Sequence, residues 1–416
     1  MTDWHEIDNQ LTDPAWYGKG DSHRTFKLLR DEDPVHWTQD DRYGRHYWTL
    51  TRHEDIKNYL LDDQLYSNRI DTRIPRSSKR RTPEQRHQLG FDVLMTANDN
   101  PLHDLYRRPL NKHFSVPAVG RLKSQIDAVV DGIIAEACER DEVDVVDNIA
   151  EELSARVILT MLGAPPEDWD MLREATSQKM AAADPRYIID NDHIKTYQIG
   201  AQRLYDYSQR LTQERRKDPK DDLATVIAQM QIDGDPLSPH ESATYCSLMI
   251  SGGLESTRNT AAVGLWAFMN NPEQRTLLLE DPSLTKSTVE EVIRWVSPGS
   301  GRLRVATRDF ELHGKTIRQN DWIIAFLASA NRDERVFENP EKFDIRRNPN
   351  PHLGLGEGLH MCLGRNLARL ELASFFPKFL RAFPDIELTA DPEWIPDANV
   401  TGFRTMPVRL NTPALV

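Results

Sequence analysis

The chain has 416 residues, and a hydrophobic fraction of 39% is enough to form a large core. It carries 52 lysines and arginines against 65 aspartates and glutamates, and the net charge of -13 argues against nucleic acid as the main partner, because phosphate binding needs a basic face. The three cysteines, Cys138, Cys246 and Cys362, are too few and too scattered for a disulfide framework, which favours a reducing compartment.

The first segment, "MTDWHEIDNQLTDPAWYGKGD", is polar and acidic and lacks the basic start and apolar stretch of a signal peptide. Apolar runs such as "WIIAFLASA" stop far short of the ~20 residues that a membrane helix needs. We therefore expect a soluble, cytoplasmic protein with no membrane partner.

In chain order, the first predicted element is a half-buried strand around Tyr47 in "RHYWTLTRHEDI", where apolar and polar residues alternate. The basic segment "NRIDTRIPRSSKRRTPEQRH" has no apolar period and predicts an exposed loop. From Ser115 to Ala137 the apolar spacing is helical, with Pro117 in the first turn, and Cys138 is expected to be a small buried or edge residue there. Further helices are predicted at about 146–162, 167–182 and 193–216.

A long helix is predicted next. Ser238 and Glu241 form a capping box with Pro239 at the first helical position, and the pattern closes only after Asn270. At ~1.5 Å per residue this helix is about 48 Å long, enough to cross a whole domain. We expect it to organise the fold around it.

Beyond it, "LTKSTVEEVIRWVSP" predicts a shorter helix, and "RLRVATRDFELHGKTIRQNDWIIAFL" predicts strands punctuated by Gly314 and Asn320. A long irregular segment leads to Cys362, and compact domains keep such loops mainly for function. Pro377 lies inside the predicted last helix and should kink or restart it. Because repeats and linker-like segments are absent from the sequence, we expect a single domain over residues 1–416.

The stretch "GLGEGLHMCLGRNLARLE" places Cys362 between glycine-rich backbone and a helical run. At a helix start, unpaired amides and the helix dipole lower the pKa of a cysteine thiol and favour the thiolate. A thiolate held there serves as a metal ligand or a nucleophile. An ordinary loop-to-helix join is the simplest alternative. Others are a nucleophile with His360 as its base, or a zinc site of His352, His360 and Cys362, although that spacing is unusual for zinc.

This stretch resembles the haem-binding loop of the cytochrome P450 family, Phe-Gly-x-Gly-x-His-x-Cys-x-Gly. The resemblance implies that haem b is the cofactor and that Cys362 is its axial thiolate and metal ligand, pushing electron density toward the iron. It also implies that His360 contacts a haem propionate. Leucine replaces the phenylalanine, which should change the shielding of the sulfur. The matching residues are Leu355, Gly356, Gly358, His360, Cys362 and Gly364.

The segment "EEVIRW" supports the resemblance, because Glu291 and Arg294 are three apart and share a helical face. Alone, such a pair is usually a solvated ion pair. In the family it joins an arginine of a later loop in a buried network that braces the cysteine loop. Here Lys342, Arg346 and Arg347 are the candidates for the third member, and we take Arg347.

Other segments match positions that bind haem propionates in the family. "NPLHDLYRRPL" places His103 and Arg107 four apart on one helical face, where a polar surface helix is the alternative. Arg304 in "RLRVATRD" matches a further propionate-binding position.

The long helix carries "GGLESTRN", which resembles the family's oxygen-activation motif. The resemblance makes Glu255, Ser256 and Thr257 the catalytic residues, with Ser256 in place of the usual relay threonine. Serine keeps the hydroxyl but loses the methyl group that limits its rotamers, so we expect a working relay with more uncoupling to peroxide. Gly252 and Gly253 weaken the helix, as a groove for dioxygen would require, although a glycine packing contact is the alternative.

In the family, the substrate pocket is lined by segments that correspond here to about 69–96, 178–192, 248–256, 299–303 and 400–403. Gly252, Gly299, Ser300 and Val400 are therefore candidate substrate-binding residues. The run "GSG" at 299–301 hints at room for a bulky substrate. Arg73 and Arg76 could meet a polar group, but a solvated charged face is the favoured interpretation.

The resemblance implies a mainly α fold with small β-sheets (α+β), in a single triangular domain with haem between the long central helix and the cysteine-loop helix. It implies a haem-thiolate monooxygenase that inserts one oxygen atom from dioxygen into an apolar organic molecule. A peroxide-driven oxygenase and a non-catalytic haem ligand or gas sensor are the alternatives.

The sequence has no dinucleotide fingerprint or cluster-spaced cysteines, so electrons should come from an external ferredoxin and its reductase. A local basic patch could bind that acidic partner despite the net negative charge. Its members are Arg107, Arg108, Lys112, His113, Arg365 and Arg369.

Overall fold

The protein is described by a computed structural model that covers residues 2–42, 44–69, 81–182 and 184–411. Most of the chain in these ranges is helical. The α-helices are Trp4–Thr12 (α1), Pro14–Tyr17 (α2), Ser22–Glu32 (α3), His53–Leu61 (α4), Pro83–Gln88 (α5), Leu102–Asn111 (α6), Val116–Gly120 (α7), Lys123–Cys138 (α8), Glu151–Leu162 (α9), Trp169–Met180 (α10), His193–Lys217 (α11), Leu223–Ala228 (α12), Pro239–Asn270 (α13), Pro272–Glu280 (α14), Thr285–Val296 (α15), Leu327–Ala330 (α16) and Arg365–Ala382 (α17).

The strands are short and form small, separate sheets, which confirms the mainly α fold with minor β-structure. The largest sheet has the order β1-β2-β10-β7-β3, with β10 parallel to β2 and antiparallel to β7. The strands are Val35–Asp40 (β1), Arg45–Leu50 (β2), Tyr66–Ser67 (β3), Glu142–Asp144 (β4), Gln231–Ile232 (β5), Asp235–Pro236 (β6), Gly301–Ala306 (β7), Phe310–Leu312 (β8), Lys315–Ile317 (β9), Trp322–Phe326 (β10), Glu387–Leu388 (β11), Glu393–Trp394 (β12), Phe403–Thr405 (β13) and Pro407–Arg409 (β14).

The chain forms two compact units. The first comprises Met1–Asp104, Ser287–Leu363 and Trp394–Thr401. Its core lies on both faces of β10, because Ile323 and Ala325 pack on one side of the sheet and Ile324 and Phe326 on the other. The apolar run "WIIAFLASA" is thus a fully buried central strand and the short helix after it.

The second unit comprises Leu105–Lys286, Gly364–Glu393 and Gly402–Val416, and it is built around α13. This helix packs against α9, α10, α11 and α17. Its capping box is formed as predicted, since the Ser238 hydroxyl accepts from the Glu241 amide and the Glu241 carboxylate accepts from the Ser238 amide. The expectation of a single catalytic domain stays a prediction.

Several predicted elements differ from the structure. The helix expected from Ser115 is two helices, α7 and α8, and Cys138 ends α8 in an exposed position. The basic segment predicted as a loop contains α5, which has a capping box of its own, at Thr82. Helix α17 continues through Pro377 without a restart, because the loss of one amide is offset by the buried phenylalanines around it, Phe375, Phe376 and Phe379.

Within the ranges covered by the structure, no helix combines the length with the apolar composition that crossing a bilayer requires. The cytoplasmic location stays a prediction.

The contact between α10 and α11 depends on Gly200. A Cβ atom at this position would lie 2.6 Å from the carbonyl oxygen of Ala175 and 2.8 Å from the amide nitrogen of Lys179, and backbone atoms cannot move aside cheaply. We expect Gly200→Ala to destabilise the protein by about 1–3 kcal/mol. Gly132→Ala is the control: its Cβ would meet only the Arg156 side chain, at 3.9 Å, so helix propensity should stabilise it by about 1 kcal/mol. Denaturant unfolding of both variants measures the difference, and equal effects would contradict this account.

Candidate active site

The loop before α17 is held in one conformation by its own backbone and by the end of α4. The Cys362 amide donates to the Leu355 carbonyl at 2.8 Å, and the Gly356 amide donates to Leu353 at 2.8 Å. Gly356 and Gly358 have φ of +73° and +67°, a region that favours glycine. A Cβ at Gly358 would lie 2.9 Å from the Leu60 carbonyl oxygen. The side chain of Cys362 is exposed at the end of this rigid loop.

Glu291 and Arg294 on α15 form a bidentate ion pair with both bonds at 2.8 Å, and neither side chain is exposed. The structure brings Arg347 to them, with its Nε 3.1 Å from Glu291. Lys342 contributes only its carbonyl oxygen, and Arg346 lies 3.8 Å from Asp344 instead. The buried charges are thus paired and hydrogen-bonded, as burial in low dielectric requires.

Asn331 connects this network to the cysteine loop, and sequence reasoning did not identify it. Its carbonyl accepts from Arg294 at 2.8 Å, its side-chain nitrogen donates to Ser297 at 2.7 Å, and its side-chain oxygen accepts from the Leu353 amide at 2.7 Å. A buried asparagine directly after a short helix gives no sequence signal of such a bridge. The ion pair and the loop are therefore joined through one side chain.

The histidines predicted to face the cofactor lie together. The rings of His103 and His360 pack edge to face with centroids 4.6 Å apart, and His103 is buried. Arg304 is 3% exposed and donates to the carbonyl oxygens of Tyr59 and Leu60. No carboxylate of the described residues forms an ion pair with Arg304, and burial lowers its pKa. A buried cation of this kind favours an added anion.

These residues fit a haem. The exposed sulfur of Cys362 supplies a thiolate, and Arg304 offers a buried positive charge to a propionate. The zinc alternative does not fit, because in the described part of the chain Cys362 belongs to no cluster of three metal-ligating side chains. The ring of His352 is instead 3.0 Å from Glu290.

In the second unit, the middle of α13 has one exposed face and one buried face. Gly252 and Ser256, one turn apart, are exposed, and a Cβ at Gly252 would meet no atom within 4 Å. Gly253 instead packs on α9, where a Cβ would lie 2.5 Å from Ile158, so its glycine serves a packing contact. Glu255 and Thr257 are buried, at 5% and 6% exposure. The acid and the hydroxyl of Ser256 thus point to different sides of the helix.

The candidate substrate segments of the first unit meet at Ser300. The Ser300 amide donates to Asn399 at 2.9 Å, which brings Val400 beside the turn before β7. The expected space at Gly299 is filled: a Cβ there would lie 1.9 Å from the guanidinium of Arg302. The sequence contained a signal for this contact that sequence reasoning missed: Arg302 lies on β7, two residues before Arg304.

The remaining predicted residues are distributed over other elements. Arg73 and Arg76 lie outside the described residues. Arg107 is half-buried on α6, and Gly364 precedes α17 with its carbonyl accepting from Ala368 at 3.0 Å. Burial, with Lys112 and Arg121 nearby, lowers the pKa of His113, so this side chain adds little positive charge at neutral pH.

Comparison with known proteins agrees with this geometry. Residues 43–409 match the model of the family described as Cytochrome P450. A steroid C26-monooxygenase of Rhodococcus jostii is 32% identical, with 97% of this chain and 84% of that protein covered, and one of Mycobacterium tuberculosis is 33% identical with 98% of each covered. A Mycobacterium marinum cytochrome P450 solved with pseudoionone has a TM-score of 0.86 at 31% identity, covering 94% of this chain and 95% of that one.

The chain belongs to the cytochrome P450 family. Its members hold haem b by an axial cysteine, and this protein is a haem-thiolate monooxygenase that acts on an apolar substrate. The resemblance seen in the sequence is thereby confirmed.

The ion network yields a stability prediction. Glu291→Gln keeps the shape of the side chain but leaves Arg294 buried without its carboxylate, which should cost about 3–5 kcal/mol. Glu290→Gln is the control, since Glu290 is partly exposed and pairs with His352, and it should cost under about 1 kcal/mol. Urea unfolding measures both. A loss at Glu291 no larger than that at Glu290 would show that the network does not stabilise the folded protein.

Glu371 is a second unusual group, in the middle of α17. It is 3% exposed, and its carboxylate has an oxygen with no hydrogen-bond partner. Burial raises the pKa of Glu371 well above its ordinary value. It follows Leu367 and precedes Phe375 by four residues each, so the apolar row at this spacing was a signal that Glu371 faces the core.

Because the folded pKa of Glu371 is raised, the stability associated with its protonated form is complete below about pH 4.3, the unfolded pKa. It is lost as pH rises toward the folded pKa. Glu371→Gln should therefore become progressively more stable than the wild type between pH 5 and pH 8, as measured by thermal unfolding. Glu280→Gln, at an exposed position, should follow the wild-type pH dependence. A constant difference between Glu371→Gln and the wild type would contradict the raised pKa.

Proposed function

We propose that Cys362 is the axial thiolate of the haem and that His103, Arg107, Arg304 and His360 hold its propionates. The observation that carries this proposal is an exposed cysteine on a loop fixed by glycines and by the buried Glu291 network. Cys246 is an unsuitable ligand, because burial within α13 raises its thiol pKa to about 12. Cys138 ends a helix and lacks any comparable loop.

When bound, haem supplies the iron at which dioxygen is activated. We assign proton handling to the chain. The Ser256 hydroxyl lies on the exposed face of α13, where it donates a hydrogen bond toward the reacting oxygen and Gly252 leaves room one turn away. The proton that Ser256 would pass to that oxygen would be replaced from the Glu255 carboxyl group, which is buried, and Thr257 is the buried hydroxyl beside it.

For the substrate, we propose a bulky apolar molecule of steroid type. The support is the similarity to steroid C26-monooxygenases over nearly the full chain. The guanidinium of Arg302 beside Gly299 adds a polar contact, suited to a carbonyl or hydroxyl group at one end of the molecule. Ser300 and Val400 contribute the wall next to it.

The electrons, we propose, come from an external ferredoxin and its reductase. Arg108 and Lys112 are exposed on α6 and the turn after it. The side chain of Asn366 donates to Phe114 at 2.9 Å and so ties the start of α17, with Arg365 and Arg369, to that turn. The resulting basic surface suits an acidic protein within a chain of net negative charge.

The test of the cofactor assignment is the visible spectrum of the reduced protein with carbon monoxide. A thiolate-bound haem gives a strongly red-shifted Soret band, and we expect Cys362→Ala to abolish that band. Cys138→Ala, a cysteine outside the loop, should leave it unchanged. Retention of the band in Cys362→Ala, or its absence from the wild type expressed with adequate haem, would refute the assignment.

The same protein then tests the substrate class. Testosterone should shift the haem spin state more than pseudoionone, a smaller acyclic ketone, if the pocket suits steroids. Substrate-dependent consumption of NADH through ferredoxin would support dioxygen use. Turnover with hydrogen peroxide alone would favour the peroxide-driven alternative, and the absence of any turnover would favour a haem sensor.

The basic surface yields a prediction on electron transfer. Charge reversal at Arg108 and Lys112 should slow reduction by an acidic ferredoxin about tenfold or more at low salt, because both exposed cations steer the encounter. The control is charge reversal at Lys286, an exposed lysine on α15, which should change the rate of reduction little. Stopped-flow reduction measures each rate. Equal rates for all variants at low ionic strength would rule out this docking surface.

A further inference from the structure

The segment 394–400 is largely irregular and rests on the turn after α2, and both parts belong to the first unit. The indole ring of Trp394 lies so close to Gly20 that a Cβ atom at this glycine would collide with it. A Cβ atom at Gly18 would lie 3.4 Å from the Cβ atom of Pro396, which is ordinary van der Waals contact. The turn therefore forms a surface against which this segment packs.

The same segment carries Val400, a residue of the proposed substrate wall. Ala398 packs against the core cluster that contains Leu11 of α1. On another side, the Asn399 carbonyl accepts a hydrogen bond from the Ser300 amide at 2.9 Å. Because a segment without a regular hydrogen-bond ladder takes its position from its neighbours, the N-terminal helices and the turn before β7 together decide where Val400 lies.

Helix α1 is fixed to β1 by a histidine that bridges two carboxylates. The Nε2 atom of His36 is 2.7 Å from Asp8 of α1, and its Nδ1 atom is 2.9 Å from Asp33, the residue after α3. An ionised carboxylate only accepts hydrogen bonds, so both ring nitrogens carry a proton and the ring is an imidazolium. The ring of Trp4 stacks on it with centroids 5.3 Å apart. The charge of His36 is thus part of the attachment of α1.

The groups around this bridge keep the two carboxylates ionised and the histidine charged. Lys315 of β9 contacts Asp33, and Tyr47 of β2 lies near Asp8 but stays neutral because burial raises its pKa. Burial disfavours the charged ring of His36, but the hydrogen bonds to Asp33 and Asp8 outweigh it, so its pKa is raised. The attachment is therefore complete below about pH 6.5, the unfolded pKa, and is lost as pH rises through the folded pKa.

We propose that α1 and the turn after α2 are the positioning element for the substrate wall at Val400, and that the imidazolium of His36 holds this element in place. The inference deepens the substrate site proposed above and rests on it. His36 touches no substrate and acts through the packing of the segment 394–400. Substrate binding should therefore weaken as His36 loses its proton, while kcat should change less than the Kd of the substrate.

The test compares His36→Gln and Asp8→Asn with His46→Gln in the haem-loaded protein. His46 is the control, because it is an exposed histidine on the neighbouring strand β2. The Kd of whichever of testosterone or pseudoionone shifts the spectrum more is measured between about pH 6 and pH 9. Amide hydrogen exchange of α1 and of the segment 394–400, compared between the proteins at the same pH and without substrate, gives a second readout.

In the wild type we expect the Kd to rise about threefold or more over this pH range. In His36→Gln and in Asp8→Asn the Kd should already be raised at the lowest pH and should lose most of its pH dependence. Exchange should become faster in α1 and also in the segment 394–400. The control, His46→Gln, should match the wild type in both readouts.

Faster exchange in α1 alone, with the Kd and the exchange of the segment 394–400 unchanged, would overturn the inference and leave the proposed substrate site intact. A Kd that depends on pH in His36→Gln as it does in the wild type would also overturn it. A wild type that binds neither ligand would overturn the proposed substrate class, and this inference with it.

Discussion

The buried ion pair between Glu291 and Arg294 is the interaction on which the rest of the site depends. Neither charge could remain in the core without the other, and both are also hydrogen-bonded to the backbone of the irregular segment that leads to Cys362. Asn331 then links this ion pair to the loop, because its side-chain oxygen accepts a hydrogen bond from the Leu353 amide. The long irregular segment before Cys362 is thereby tied to α15 by hydrogen bonds.

The long helix α13 combines a closely packed face with an exposed face in its middle. On the exposed face, Gly252 has no side chain and Ser256 carries a hydroxyl group. Gly253 instead lets α9 approach closely. Glu255 is turned to the buried side, toward a pocket that contains Arg258. Consecutive residues thus place the acid and the hydroxyl on different faces of the helix.

Patterns that depend on neighbours along the chain were predictable from the sequence. The start of α13 at its capping box, the shared face of Glu291 and Arg294, and the glycine loop around Cys362 all follow from spacing. Contacts between distant segments were not. The guanidinium of Arg302 fills the space that Gly299 seemed to leave, and α17 continues through Pro377, because tertiary packing decides both outcomes.

Two buried arginines of the first unit, Arg294 and Arg304, are held in part by main-chain oxygens. Arg304 is held by the carbonyl groups at the end of α4, and Arg294 by those of Asn331, Pro340 and Lys342. Every residue type has the same carbonyl group, so a substitution at an anchoring position leaves the anchor in place as long as the backbone keeps its path. The main-chain part of these two anchors therefore does not depend on side-chain identity, which is consistent with a shared fold at about one-third identity to the relatives.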